Sequence, residues 1–282
     1  MIYNWNGKIF KNGQLEVAVD SRALHFGDGL FETMRFTRGK LLFWEQHYFR
    51  LMAGMRILRM DIPMNFAPDY LEEQILALLK AQEREQSARV KLSVFRKAGG
   101  KYTPLSNDID FLISAEAGPN DLYQLNEAGL NVDLYKDFYK TSGLLSNQKL
   151  TAATIYTLAS IYRGENAYDE CLLLNEKKEV IEAISANIFL RKGEELWTPP
   201  LESGCLKGVM RKQIIDLAPA LGLELIEKAF SPFEIQRADE LILSNVIKGP
   251  QWVAAYRKKR FAKPETTPAL IEKLNQRIIL GD

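Results

Sequence analysis

Apolar positions along the chain change period repeatedly, and the changes divide it into short strands and medium helices. From Glu45 to Arg59 they recur at helical spacing through Tyr48, Leu51, Met52 and Met55. Asp69 to Arg84 repeats the pattern with Leu71, Ile75, Leu78 and Leu79. Asn4 to Phe10 and Gln14 to Val19, around Asn12-Gly13, read as a hairpin. Phe31 to Phe36 and Lys40 to Phe43, around Arg38-Gly39, read as another. Val90 to Phe95 and Asp110 to Ser114 are β-rich runs on either side of a Gly99-Gly100 loop.

Glu116-Ala-Gly-Pro-Asn-Asp121 then interrupts the pattern with a Gly-Pro break and no large apolar residue, as a linker would. Beyond it, Leu130 to Tyr135, Glu170 to Leu174, Val180 to Ile184, Ile188 to Arg191, Glu224 to Phe230 and Glu240 to Ser244 read as strands. Ala152 to Arg163, Gly208 to Leu221 and Pro268 to Ile279 read as helices, with Gly222 stopping the second. The pattern predicts an α+β or mixed α/β chain of two domains, 1–118 and 119–282.

Composition narrows the chemistry. With 282 residues, 46% hydrophobic, the chain can bury sizeable cores. Lys+Arg 37 against Asp+Glu 36 gives a formal charge of +1, so no global field recruits nucleic acid or an anionic membrane. Cys171 and Cys205 cannot build a disulfide framework, and two histidines, His25 and His47, cannot build a multi-histidine metal centre. No apolar run reaches the roughly 18 residues of a membrane span, and the N-terminus lacks a signal-peptide layout. The expectation is a cytoplasmic protein acting on small molecules. Phosphate-loop, dinucleotide, HExxH and GxSxG signatures are all missing. Lys, Glu, Asp and Tyr are left to carry chemistry, and a lysine acts covalently through its amine.

The stretch Glu182-Ala-Ile-Ser-Ala-Asn187-Ile-Phe189, Leu196-Trp-Thr198-Pro-Pro and Gly204-Cys-Leu206-Lys-Gly208-Val-Met-Arg211 resembles the signature of class IV pyridoxal-phosphate aminotransferases. The family includes branched-chain and D-amino-acid aminotransferases and aminodeoxychorismate lyase, and the likeness extends over nearly the whole chain. It implies a two-domain, fold type IV architecture like that of D-amino-acid aminotransferase, pyridoxal 5'-phosphate as cofactor, and a homodimer. It implies Glu182 at the cofactor's ring nitrogen, because a carboxylate there keeps the ring protonated as an electron sink. Asn187, Leu206 and Gly208 are implied as cofactor contacts, and the amides of Val209 and Met210, at a helix N-terminus suited to an anion, as holders of its phosphate. For the lysine that joins the cofactor, both Lys140 and Lys149 precede the helix from Ala152. Lys149 stands about twenty residues before Asp169-Glu170, as the family spacing requires, whereas Lys140 is about nine residues too early. The Asn or Tyr that some relatives carry after the lysine is Ala152 or Thr154 here, so the partner of the ring hydroxyl stays unassigned.

Asp20-Ser-Arg22-Ala-Leu-His25-Phe-Gly27-Asp28-Gly29-Leu-Phe31-Glu32-Thr33-Met-Arg35 resembles the family's opening block, and His47-Tyr-Phe-Arg50-Leu51 the segment whose arginine clamps the phosphate. His25 and His47 read as structural. Ser244-Asn245 match a phosphate-touching position in relatives. Branched-chain enzymes have glycine where Thr33 stands. Arg96-Lys-Ala-Gly99-Gly100-Lys101-Tyr102-Thr-Pro104 resembles a cationic stretch of aminodeoxychorismate lyases. Thr33, Arg35, Arg96, Lys101 and Tyr102 are therefore the expected substrate contacts. The expected reaction is release of pyruvate from 4-amino-4-deoxychorismate, with amino transfer from branched-chain or D-amino acids to 2-oxoglutarate as the alternative.

Overall fold

The computed structural model describes residues 1–11, 13–119 and 122–280. Asn12 of the expected first turn, and Asn120 and Asp121 of the expected linker, lie outside the described residues. The chain divides into two compact units, Met1–Asp121 with Gln148–Ala152, and Leu122–Asn147 with Ala153–Asp282. A single cut near residue 118 therefore misses a five-residue segment.

The first unit runs β1 (Tyr3–Trp5), β2 (Lys8–Phe10), α1 (Arg22–Phe26), β3 (Gly29–Thr37), β4 (Lys40–Leu41), α2 (Trp44–Ile57), α3 (Pro68–Ala81), β5 (Ser87–Arg96) and β6 (Ile109–Ala117). Its strands pair antiparallel in the order β2-β1-β6-β5-β3-β4. Leu51, Met52 and Met55 from α2 and Leu71, Ile75, Leu78 and Leu79 from α3 close a core over Leu30, Met34, Val90, Leu92, Val94 and Ile113. Two expectations are corrected here. The first hairpin lies within residues 3–10 and turns on Asn6-Gly7, which hold φ 51 and 83 as a tight two-residue turn requires. Gln14 to Val19 carries no strand and is largely exposed. The short helix α1 carries too little apolar periodicity to be read from sequence.

β4 covers only the far end of β3, pairing with Phe36 and Thr37. Residues 149–151 take the other end of that edge: Phe31 N–H donates to Lys149 O, Thr151 N–H donates to Gly29 O, both at 2.9 Å, and Leu30 bridges Leu150. An unpaired edge is filled by a distant piece of chain, which fixes the backbone of Lys149 to β3.

The second unit runs β7 (Leu130–Leu134), α4 (Thr154–Glu165), β8 (Glu170–Leu174), β9 (Val180–Ala183), β10 (Asn187–Lys192), β11 (Glu195–Thr198), α5 (Val209–Leu217), β12 (Glu224–Glu227), α6 (Pro232–Gln236), β13 (Glu240–Asn245), β14 (Gly249–Tyr256), β15 (Lys259–Arg260) and α7 (Thr266–Leu280). The sheet order is β12-β11-β10-β13-β14-β7-β8-β9, with β15 on β14. Parallel pairs (β11 with β12, β14 with β7, β7 with β8) mix with antiparallel ones, so the chain is mixed α/β. β11 and β14 are strands that the apolar pattern does not predict, with Pro199 just after β11 and Pro250 at the start of β14. The helix expected over 208–221 is α5 followed by a 3₁₀ turn, Ala218–Leu221, because Pro219 cannot donate to the α ladder.

α7 begins on a carboxylate from another element. Glu240 of β13, 3% exposed, accepts the amides of Thr266 and Thr267 at 2.9 Å and the Thr267 hydroxyl at 2.5 Å. The charge sits at the positive end of the helix and satisfies amides that would otherwise be buried without partners. Glu240→Ala is expected to cost roughly 2–4 kcal/mol in chemical denaturation. Asp216→Ala, on the exposed face of α5, should cost under about 0.5 kcal/mol.

Candidate active site

In the second unit, Glu182 lies in the fully buried strand β9, itself 2% exposed. Its Oε1 accepts a hydrogen bond from Lys140 Nζ at 2.6 Å and another from the Tyr156 hydroxyl at 2.7 Å, and its Oε2 accepts the Leu206 amide at 2.7 Å. All three of these partners are donors, which is how a carboxylate survives burial. Burial, then the charge of Glu182, pushes the Tyr156 phenol far above its usual range, so the hydroxyl stays protonated as a donor.

Leu206 ties this carboxylate to the turn that starts α5. The Asn187 amide donates to Leu206 O at 2.8 Å, and a Cβ at position 208 would overlap Asn187 Oδ1, so only glycine fits there. Gly208 is the N-cap of α5, in extended conformation, and no side chain caps the helix. Asn187 pairs across the sheet with Ser244, whose Oγ is buried and has no hydrogen-bond partner. Arg211 holds the turn from the helix side, donating to Pro199 O at 2.9 Å and pairing with Glu227. The buried Cys205 thiol is pushed up to about 11, chiefly by burial against the opposing charge of Arg211, so it is inert as a nucleophile. A buried acceptor, an uncapped helix N-terminus and an unpartnered hydroxyl on the adjoining strand suit a ligand with a basic ring nitrogen and a phosphate.

In the first unit, Arg50 of α2 grips Glu32 of β3 bidentately, Nε to Oε1 at 2.7 Å and a terminal nitrogen to Oε2 at 2.5 Å. His47 Nδ1 lies 2.6 Å from Glu32 Oε2. Burial alone would raise the Glu32 carboxyl, but Arg50 and His47 outweigh it and hold it down at about 2. Burial, helped by the charges of Arg50 and Lys149, keeps His47 below its usual range despite Glu32. The imidazole is neutral and donates Nδ1–H to an ionised Glu32. Lys149 Nζ lies 4.5 Å from the Phe31 ring centre, and Lys91 Nζ lies 4.6 Å from it. Phe31, Thr33 and Arg35 alternate to the face of β3 opposite Glu32 and Met34; Thr33 and Arg35 are buried.

Several expected contacts have other work. Arg96 donates to Asp28 at 2.9 Å, Asn107 at 2.6 Å and the carbonyl of Leu58 at 2.6 Å. It thereby anchors its own loop instead of presenting a free fork to a substrate. Arg22 completes that anchor through Asp28, Gly99 O and Lys101 O. Lys101 and Tyr102 are exposed on the same loop. Asn245 closes a turn, accepting the amides of Ile247 and Lys248 and donating to Ser185 O, while Ser244 beside it is the buried residue. Tyr156 is a member of the site that sequence reasoning misses, its only signal being its position on the first turn of α4. Lys140, set aside by spacing, meets Glu182. Among the described residues no cluster of His, Cys, Asp and Glu could hold a metal, and no helix is long and apolar enough to cross a membrane.

The sequence pattern of the amino-transferase class IV family matches residues 29–256, and the chain belongs to that family of pyridoxal-phosphate enzymes. It is 26% identical over 238 residues to an aminodeoxychorismate lyase of Vibrio harveyi, covering 84% of this chain and 86% of that one. It is 25% identical over 251 residues to a D-alanine aminotransferase of Listeria monocytogenes, covering 85% and 82%. Its fold matches the branched-chain aminotransferase of Thermoproteus uzoniensis with a TM-score of 0.88 at 22% identity, over 100% of this chain and 95% of that one.

The His47–Glu32 pair sets a pH dependence. Below its ordinary pKa of 6.5, His47 binds a proton in the unfolded chain that the folded site refuses, so stability falls as pH drops. Glu32 adds a second loss, which begins below about 4.5 and grows toward about 2. Denaturation between pH 7 and 5 should show stability declining by up to about 1.4 kcal/mol per pH unit. His47→Asn should flatten that slope, and an unchanged slope would place the titrating group elsewhere.

Proposed function

We propose that the protein is a pyridoxal-phosphate-dependent lyase that converts 4-amino-4-deoxychorismate to 4-aminobenzoate and pyruvate. It would act in the cytoplasm as a homodimer. The observation that carries the site is the link from Glu182 through the Leu206 amide to the Gly208 turn, with Ser244 beside it. Glu182 would accept a hydrogen bond from the protonated ring nitrogen and so keep the proton there. Val209 and Met210 would offer their amides to the phosphate, and Ser244 its hydroxyl. Arg50 would add the counter-charge, with its guanidinium already oriented by Glu32. When bound, the cofactor supplies an electron sink that eases loss of a proton from an amino-bearing carbon. Lys149 Nζ would make the covalent attachment and carry that proton. Loss of the proton, expulsion of the enolpyruvyl group and aromatisation of the ring complete the reaction without any amino-group acceptor.

Thr33 supports the lyase. It is a buried side chain on the face of β3 shared with Phe31 and Arg35, where branched-chain relatives carry glycine. One observation favours an aminotransferase: Arg96, in the loop that resembles the lyase stretch, is committed to Asp28, Asn107 and Leu58.

Incubation with aminodeoxychorismate and no oxo acid should release 4-aminobenzoate and pyruvate in equal amounts. Transfer of the amino group of L-leucine or D-alanine to 2-oxoglutarate, with no 4-aminobenzoate formed, would establish the aminotransferase instead. Borohydride reduction followed by peptide mapping should find the cofactor on Lys149, and Lys149→Ala should abolish turnover. A label on Lys140 would overturn that assignment.

A further inference from the structure

Two side chains meet the same oxygen of Glu182. Lys140 Nζ and the Tyr156 hydroxyl both donate to Oε1, at 2.6 and 2.7 Å, while Oε2 takes the Leu206 amide. Lys140 is held from both ends. Its backbone N–H donates to Leu174 O at 2.9 Å as an isolated bridge beyond β8, and its ammonium also donates to Ser146 O at 2.8 Å. The ammonium lies 5.5 Å from the Tyr156 ring centre. The Lys140 side chain is 11% exposed and that of Glu182 is 3% exposed. Among the described residues, the titratable neighbours beyond these are the protonated Cys205 thiol and, through it, Arg211 and Glu227. A cation is thus fixed against a carboxylate that already has a hydroxyl and an amide as donors.

We infer that Lys140 and Tyr156 are positioning residues that hold Glu182 in one orientation, and that the charge of Lys140 limits how strongly a ring nitrogen on Glu182 keeps its proton. This rests on the reading that the protein binds pyridoxal phosphate through Glu182. A carboxylate already facing an ammonium is a weaker partner for a second cation, so Lys140 opposes the pyridinium that Glu182 favours. Tyr156 fixes geometry without adding charge. In the protein without cofactor, the same ammonium compensates a charge that would otherwise be buried alone.

The probe is 4-deoxypyridoxine 5'-phosphate, which carries the ring nitrogen and phosphate but no aldehyde, so its ultraviolet titration reads the ring proton without covalent attachment. Relative to wild type, Lys140→Met should move the bound probe's titration midpoint upward by about 1–3 pH units, and Lys140→Arg should restore it. Lys140→Met should also lower the denaturation midpoint of the cofactor-free protein. The double variant Lys140→Met with Glu182→Gln should recover much of that loss and keeps the test open should the single variant fold poorly. Wild-type protein that takes up neither pyridoxal phosphate nor the probe overturns the cofactor reading and this inference with it. Normal uptake with superposable titrations in wild type and Lys140→Met overturns the inference alone. So does a stability loss from Lys140→Met that is equally large whether or not Glu182→Gln is also present.

Discussion

A carboxylate with almost no access to water is costly to bury unless donors surround it, and the second unit is arranged to surround Glu182. The donors come from separated places: Lys140 before α4, Tyr156 on α4, and the Leu206 amide in the turn before α5. Because all three must reach one side chain, the paths of the 136–147 segment, the helix and the turn are fixed together. Leu206 carries the constraint onward through its carbonyl to Asn187 in β10. That leaves no space for a Cβ at Gly208, and the helix starts there with its first amides uncapped by any side chain. The polar geometry and the glycine requirement are one fact seen from two residues.

The first unit meets the same problem with different chemistry. Glu32 is paired with a bidentate guanidinium and a neutral imidazole instead of an ammonium and a phenol. A planar fork satisfies both oxygens at once and cannot lose its proton, so Glu32 stays charged to about pH 2. His47 is held neutral by burial and donates through Nδ1. Arg50 is thereby oriented by groups that need no ligand.

Much of this is legible in the sequence because it lies in contiguous motifs. The Glu182, Asn187 and Leu206-to-Arg211 elements point to one site, and the structure joins them by hydrogen bonds within a single unit. The helical periods of residues 45–59 and 69–84 correspond to α2 and α3 because each buries one apolar face on the same sheet. What cannot be read depends on long-range partners. Arg96 looks like a substrate cation until Asp28, Asn107 and Leu58 are seen around it. Spacing alone sets Lys140 aside, and spacing says nothing of a carboxylate 42 residues away in sequence. Asn6-Gly7 and Asn12-Gly13 are equivalent turn signals locally. Asn6-Gly7 turns between β1 and β2, and β1 finds β6 as its other neighbour.

The position of Lys149 follows from strand pairing more than from its own side chain. β3 is paired along its whole length to β5, but β4 covers only Phe36 and Thr37 on the opposite edge. Backbone groups at Gly29 and Phe31 must find partners, and residues 149–151 supply them. Thr151 adds a side-chain bond to Gly27 O at 2.7 Å, against the left-handed C-cap of α1. The lysine's own carbonyl and the residues just after it are therefore held in register, and a one-residue slip would turn its side chain to the other face of the sheet. A residue whose backbone is fixed in this way has only its side-chain torsions left to set where its amine reaches.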